Sequence, residues 1–390
     1  MTDDESQITR KWVFLTAGFA MFSMFFGSGN LVFPLSIGYT TLDNCLGAAL
    51  GLLLTGTLVP FLGLLALIYA GGSRQAFFAK LGRVPAFIVT FLILSILGPF
   101  GVCARCVLVS YGSIELLLPN LSLTLFSAVF CLLAALMTLN RQRVVRIIGR
   151  YLTPFLLLGI VLILAVGIYY APVAKNSSLT SFQSFNAGLH QGYQTMDLLA
   201  AFFFSATVVE YLRAHVGKKA PLTLIAREAV KASFVGVSLL GLIYVGFVSL
   251  GASYAPFLDA HHPESMLILI AKHTLGPMAL PVIALTIVMA CLTTLIILSS
   301  LFADFVQKDV CREKISRKVS VFLAYFLCFA ISLIGFEKLV ALTGEVLEIL
   351  YPALIGLSIF AIIDHHLKTT LSHKVFYSIL IVSAGMYFLF

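Results

Sequence analysis

Phe26-Gly27-Ser28-Gly29-Asn30-Leu31-Val32-Phe33-Pro34 lies in the middle of an apolar run, residues 12–39. A run of that length reads as a membrane span, because a bilayer core needs about 20 apolar residues per helix. The motif interrupts it. Two glycines around a serine weaken a helix, and Pro34 removes a donor and disturbs the turn before it. Asn30 adds a polar side chain at a depth where lipid offers no partner. The reading is a broken span whose freed backbone N–H and C=O groups can take the charged ends of a ligand. The plainer alternative is close glycine packing, as expected for Gly47-x-x-x-Gly51 in the next apolar run.

The rest of the chain has the same character. Of its 390 residues, 60% are hydrophobic and 11% charged, and the mean hydropathy is +1.03. A soluble chain of this size cannot hide that much apolar surface. This argues against a soluble enzyme, a disordered scaffold and a nucleic-acid-binding domain. Eleven apolar segments follow one another: 12–39, 45–70, 86–113, 122–139, 152–172, 189–212, 233–254, 278–305, 319–336, 339–363 and 375–390. Helices are expected throughout, since every backbone group must be satisfied inside lipid. The first eleven residues read as a polar tail. Arg10-Lys11 and Gly27-Ser28-Gly29 imitate a signal peptide, but the apolar run continues past them and ten more spans follow, so no cleavage is expected.

The basic residues set the orientation. With the N-terminus in the cytoplasm, 21 of the 25 Lys and Arg fall on inner segments. They include Arg10 and Lys11, Arg74 and Arg83, the cluster Arg141 to Arg150, Lys218 and Lys219, and Lys308 to Lys318. Only Lys175, Lys272 and Lys338 fall outside, and Arg105 lies within a span. This positive-inside pattern supports the span count, and it accounts for the net charge of +8 without a nucleic-acid partner. The outer connection 255–277 holds Pro263 and Pro277 and is expected to lay a short helix over the outer mouth. The seven Cys form no disulfide framework. Cys103-Ala104-Arg105-Cys106 is a C-x-x-C within an apolar span and reads as packing, and the eight His form no ligand set.

Three more places put polar groups where lipid disfavours them. Thr195-Met196-Asp197 sits before the apolar run Leu198 to Phe204 in span six, either as an uncompensated acid in the membrane or as a solvated outer boundary. Ala290, Thr293 and Thr294 in span eight group two hydroxyls with a carbonyl, an oxygen set that suits a hard cation. The alternative is back-bonding to the preceding turn. Arg105 in span three is placed to pair with Asp197 or to snorkel outward. At the rise of a helix these four places fall in a slab roughly 10–12 Å thick. The interruptions lie in spans one and six, which five intervening steps place in opposite orientation. Interrupted helices at corresponding positions of two inverted halves mark a transporter site.

The nine-residue motif at Phe26–Pro34 resembles the first helix of the branched-chain amino-acid:cation symporter family. Gly98-Pro99 ahead of Arg105, with Val109-Ser110-Tyr111, is similar to its third helix. Gly192-Tyr193-Gln194-Thr195-Met196-Asp197-Leu198-Leu199-Ala200 resembles its sixth-helix signature. Ala290-Cys291-Leu292-Thr293-Thr294 and Leu350-Tyr351-Pro352 resemble its eighth and tenth helices. The resemblance implies an all-α polytopic membrane protein of about eleven transmembrane helices, with a LeuT-type inverted five-plus-five repeat and broken helices one and six. The first repeat would cover residues 1–172, the inverted second 173–363, and a peripheral helix 364–390. It implies cation-coupled import of leucine, isoleucine or valine, with Na⁺ or H⁺ as coupling ion and no other cofactor. It implies a monomer in the bacterial cytoplasmic membrane. Two departures stand out. Ala104-Arg105-Cys106 replaces the family's usual Pro-Arg-Thr, and eleven spans replace twelve.

On this reading Gly27, Ser28, Gly29 and Asn30 meet the substrate carboxylate, and Thr195 and Asp197 its ammonium. Met196 and Phe203 line the pocket for its aliphatic part. The cation sits among Ser23, Phe26, Ala290, Thr293 and Thr294. A carrier for another apolar amino acid fits the same residues. A passive channel would need a continuous polar stripe, and a membrane enzyme a catalytic constellation; the sequence shows neither.

Overall fold

The computed structural model describes residues 3–139, 153–216 and 221–389, and no strand occurs among them. Each of the eleven expected spans falls on helix. The first is split into α1 (Asp3–Phe25) and α2 (Ser28–Thr41), the second into α3 (Cys45–Leu53) and α4 (Val59–Tyr69) around a π turn, Leu54–Leu58. A short α5 (Arg74–Ala79) precedes the third span, α6 (Arg83–Leu97) and α7 (Val102–Glu115). Spans four and five are α8 (Leu123–Leu139) and α9 (Thr153–Tyr169). The sixth is split into α10 (Ser181–Gln194) and α11 (Asp197–Val216), and the seventh is α12 (Leu222–Ser253). Then come α13 (Met266–Leu275), α14 (Leu280–Phe305), α15 (Arg317–Ser332), α16 (Phe336–Leu367) and α17 (Ser372–Leu389).

Among the described residues, five runs are long and apolar enough to cross a bilayer: Ser28–Tyr69, Arg83–Glu115, Thr223–Ser253, Pro277–Val310 and Phe336–Leu367. The pair Ser181–Gln194 and Asp197–His215, bent by 45°, makes a sixth. Ser28–Tyr69 has 42 residues, about twice a bilayer core at 1.5 Å per residue. It breaks where Leu42 takes a φ of +49°. The remaining spans rest on shorter apolar helices, Phe14–Phe25, Leu123–Leu139 and Leu157–Tyr169 among them.

Three expectations are corrected or completed here. The expected polar tail is helical from Asp3 and continues into α1. The third span carries an unexpected interruption at 98–101. The expected helix in the 255–277 connection is α13, which packs on α2, α9 and α14. The basic cluster 141–150 and Lys218-Lys219 lie outside the described residues.

Packing follows a reciprocal scheme. Span one (α1, α2) packs on span seven (α12), and span two (α3, α4) on span six (α10, α11). Span three (α7) packs on eight (α14), and four (α8) on nine (α15). Exchanging one with six and two with seven turns the first pair into the second, as two inverted halves require. The close approaches repeat as well. A Cβ on Gly38 would stand 2.0 Å from the Val248 carbonyl and one on Gly251 2.1 Å from that of Leu35, between spans one and seven. Gly51 against Phe185 and Gly188 against Ala48, 2.1 Å each, do the same between spans two and six. Such small-residue contacts drive helix association where lipid removes the hydrophobic difference. The Gly47-x-x-x-Gly51 motif serves this contact.

The connections agree with the alternation of spans. Asp43 and Asn44 bond to the segment 175–181, with Ser177 N–H to Asp43 Oδ1 at 2.7 Å and Asn44 Nδ2 to the Leu179 carbonyl at 2.6 Å. At the other end Tyr377 OH donates to the Leu81 carbonyl at 2.7 Å.

Candidate functional site

The first break is built by Gly27, which is extended at φ −133° and ψ −164° between α1 and α2. Its N–H donates to Asn30 Oδ1 at 2.9 Å, so Asn30 folds back over the start of α2. Ser28 and Gly29 follow, with first-turn N–H groups for which a helix has no internal partner. Pro34 lies inside α2 without ending it; lacking an N–H, it withdraws the donor that the Asn30 carbonyl would otherwise receive.

The second break lies at Thr195 and Met196. Met196 adopts a φ of +59°, a left-handed conformation that costs a side-chain-bearing residue roughly 1–2 kcal/mol. The turn is held by Met196 N–H to the Tyr193 carbonyl at 3.0 Å and by Thr195 Oγ1 to that of Gly192 at 2.8 Å. Tyr351 OH accepts from Leu198 N–H at 3.1 Å and so caps α11.

The two breaks cross. A Cβ on Gly29 would stand 3.2 Å from the Thr195 carbonyl oxygen, a backbone approach that only glycine allows without displacement. Beside the crossing, Asn30 Nδ2 donates to Asp197 Oδ2 at 2.9 Å, and Tyr244 OH to the same oxygen at 2.8 Å. Asn30 Nδ2 also contacts the Tyr244 hydroxyl, which closes a triangle. Ser28, Asn30, Thr195, Met196 and Asp197 are all buried. Asp197 is thus an intramembrane acid rather than a solvated boundary.

Arg105 does not pair with Asp197. It is buried, and its guanidinium donates to the carbonyl and side-chain oxygens of Gln194 at 2.8 Å each and to Thr343 Oγ1. The group lies 5.0 Å above the Phe33 ring. The expected charge pair and the snorkelling alternative are both corrected: Asp197 is satisfied by Asn30 and Tyr244, and Arg105 by neutral oxygens. Phe203 is corrected too. It lies under the Arg74 guanidinium, 5.0 Å from ring centroid to carbon, about 9 Å of helix beyond Asp197.

Span eight reaches the first break. The Cβ position of Gly27 is 3.2 Å from Thr294 Cγ2 and 3.3 Å from its Oγ1. Thr293 Oγ1 and Thr294 Oγ1 both donate to the Ala290 carbonyl, at 2.7 and 3.3 Å. The back-bonding is therefore real, and it leaves each hydroxyl oxygen with lone pairs to offer. Phe26, one residue before Gly27, is buried, and Ser23 is half-buried one turn back.

Several residues at the site carry weak sequence signals. Tyr244 is a lone hydroxyl in an apolar helix. Gln194, Thr343 and Tyr351 owe their roles to contacts across spans. Cys106, whose Sγ–H donates to Ser28 Oγ at 3.4 Å, is a third-span residue touching the first break.

The family model described as branched-chain amino acid transport protein matches residues 10–389. The branched-chain amino acid transport system 3 carrier protein of Pseudomonas aeruginosa is 30% identical over 349 residues, 88% of this chain and 79% of that protein. The branched-chain amino acid permease BrnQ of Bacillus subtilis is 30% identical over 356 residues, 87% and 78% of the two chains. Among solved structures, the inward-facing conformation of Mhp1 superposes with a TM-score of 0.65 at 12% identity, covering 89% of this chain and 75% of that one. That likeness bears on the fold: the helices are arranged as in a LeuT-type transporter.

Proposed function

The chain belongs to the branched-chain amino acid transport protein family, and from that premise we propose that it is a secondary active transporter importing leucine, isoleucine or valine with a cation, Na⁺ favoured over H⁺. The observation that carries the reading is the crossing of two helix breaks at Gly29 and Thr195, with the buried Asp197 carboxylate beside it. Interrupted helices at the bilayer midplane present backbone charge to a ligand without exposing it to lipid. The positive end of α2 suits a carboxylate. Asp197 and the carbonyls of the second break suit an ammonium, and the apolar surroundings of Met196 suit an aliphatic side chain.

The cation belongs between the first break and span eight. The proposed ligands are the carbonyls near Ser23 and Phe26 and the Thr293 and Thr294 hydroxyls, with Thr294 standing against Gly27, and a cation entering would take the place of the hydroxyl hydrogens at Ala290. Hard oxygen donors favour Na⁺. H⁺ coupling would place the proton on Asp197 instead. A ligand that joins spans one and eight favours whichever state brings them together, which is the differential affinity that coupling requires.

The two repeats divide the chain at 1–172 and 173–363, with 364–390 peripheral; the reciprocal packing of spans one and seven with six and two supports this. The protein sits in the bacterial cytoplasmic membrane with its N-terminus inside. A single Cys at the exposed Ser178, in a cysteine-free background, then labels from outside; labelling only after permeabilisation would reverse the orientation.

The decisive experiment is uptake of labelled amino acids into vesicles with and without a Na⁺ gradient, followed by counterflow. Na⁺-driven accumulation of leucine, isoleucine and valine with counterflow is expected. Leucine flux without counterflow would indicate a channel, and the absence of any branched-chain flux would refute the assignment.

A further inference from the structure

Two buried charges at the crossing of the broken helices have no charged partner among the described residues. Arg105 is 1% exposed and Asp197 2%, and neither takes part in an ion pair among the described residues. Arg105 spends its hydrogens on neutral oxygens of Gln194 and Thr343, and its Nε has no partner. Asp197 receives neutral donors, Asn30 and Tyr244 among them. An ion without a counter-ion is among the most expensive groups a membrane interior can hold, and here there are two, of opposite sign.

The two are staggered by the same step on both broken spans. On α2, Asn30 holds Asp197, while Phe33, three residues on, carries the Arg105 guanidinium above its ring. On span six, Gln194 holds Arg105 three residues before Asp197. Three residues of α2 rise about 4.5 Å, while on span six the same three-residue step crosses the break, so the two charges meet different residues of one crossing. The Phe33 ring also lies against the crossing, its Cδ2 3.5 Å from the Cβ position of Gly29.

We propose that Arg105 and Asp197 are the two ends of one zwitterion subsite, Arg105 taking the substrate's α-carboxylate and Asp197 its α-ammonium. The inference rests on the amino-acid transport reading and deepens it: the substrate is the counter-ion of both residues, and α2 supplies the carboxylate's remaining donors. A direct Arg105–Asp197 pair would cancel both charges and leave nothing to recognise. The planar fork of Arg105 suits a carboxylate in two-point contact. A carboxylate there displaces the neutral oxygens of Gln194 and Thr343, so binding also loosens the ties from span three to spans six and ten.

The test is binding to the purified full-length protein with three probes: leucine, leucinol, which lacks the carboxylate, and 4-methylpentanoate, which lacks the ammonium. In Arg105→Gln, leucine affinity is expected to fall at least about tenfold while leucinol affinity is unchanged. In Asp197→Asn, leucine weakens and 4-methylpentanoate does not. Arg105→Lys, which keeps the charge without the fork, is expected to narrow the leucine-to-leucinol ratio without abolishing it, and it decides the matter should Arg105→Gln not fold. Equal loss of leucine and leucinol, or an unchanged ratio in either Arg105 variant, would overturn the proposal. So would leucine binding that needs chloride in the wild type and loses that need in Arg105→Gln, since Arg105 would then hold an inorganic anion. A wild type that binds no branched-chain amino acid would instead defeat the transport reading itself.

Discussion

Asn30 and Asp197, one in each broken helix, meet through a hydrogen bond of 2.9 Å from side-chain amide to carboxylate. Tyr244 from span seven donates to the same carboxylate oxygen at 2.8 Å. Three spans are therefore joined at one buried acid. The triangle ties the carboxylate of Asp197 to the packing of spans one, six and seven.

Tyr244→Phe tests this triangle. It removes one donor to the carboxylate and leaves the ring. A hydrogen bond to a charged group contributes about 1.5–3 kcal/mol, so apparent leucine affinity is expected to fall roughly tenfold or more, with membrane insertion normal. Saturation uptake checks it. Unchanged affinity with a lowered melting temperature would confine the hydroxyl to a structural role.

Gly29 is expected to tolerate no side chain. The added Cβ of Gly29→Ala would stand 3.2 Å from the Thr195 carbonyl oxygen and 3.3 Å from its Cα. Backbone cannot swing aside as a side chain can, so the two breaks must part. Gly29→Ala is expected to impair uptake and Gly29→Leu to abolish it, both inserting normally. Wild-type uptake by Gly29→Leu would mean that the glycine serves packing alone.

The first break was legible because Gly-Ser-Gly and Asn30 are wrong, by composition, for the middle of an apolar helix. The second was legible through Asp197, but its hinge was not: Met196 takes a left-handed φ that sequence rules reserve for Gly or Asn. Besides the local bonds to Tyr193 and Gly192, that conformation is flanked by contacts remote in sequence, Gly29 against Thr195 and Tyr351 on Leu198. Tyr244 is not legible in the sequence, because one hydroxyl in an apolar helix usually signals nothing, and its partner lies in another span. The partners of Arg105 are hidden for a related reason. Opposite charges at similar depth invite pairing, yet Gln194 and Thr343 reach Arg105 first. Phe203 follows Asp197 closely in sequence, but helix rise carries it out of the site and under Arg74.

Glu264 offers a pH test outside the membrane. It precedes α13, with Oε1 3.3 Å from His262 Nδ1 and Oε2 without a partner. Burial, with Glu115 nearby, raises its pKa above the ordinary carboxylate value, against opposing contributions from its own backbone and His262. A raised folded pKa means that the folded protein binds the proton more tightly than the unfolded chain. The group's stabilising contribution is then full below about pH 4.3, the unfolded value, and is lost as pH rises through the folded one. The melting temperature of Glu264→Gln is expected to gain on the wild type as pH rises from 5 to 8. A constant difference across that range would show that the carboxylate does not titrate there.

The cation site makes the sharpest prediction. Thr294 stands against Gly27, and its hydroxyl hydrogen is already committed to the Ala290 carbonyl. Thr294→Val keeps the size of the side chain and removes one hard oxygen. The proposed substrate contacts lie at Gly27–Asn30 and Asp197, so substrate affinity should recover at saturating Na⁺. The expected signature is a raised apparent constant for Na⁺, with leucine affinity restored when Na⁺ is raised to match. Threonines that only back-bond predict something else. Their loss would change expression or melting temperature and leave the Na⁺ dependence as it was. Combining Thr293→Val with Thr294→Val removes both hydroxyls, and wild-type Na⁺ dependence in that protein would eliminate the site. Uptake driven equally by a pH gradient without Na⁺ would keep the fold and the substrate site but move the coupling to a proton. Asp197 is then the group to carry it, because it is the acid at the crossing of the two breaks and Tyr244 and Asn30 already hold it in place.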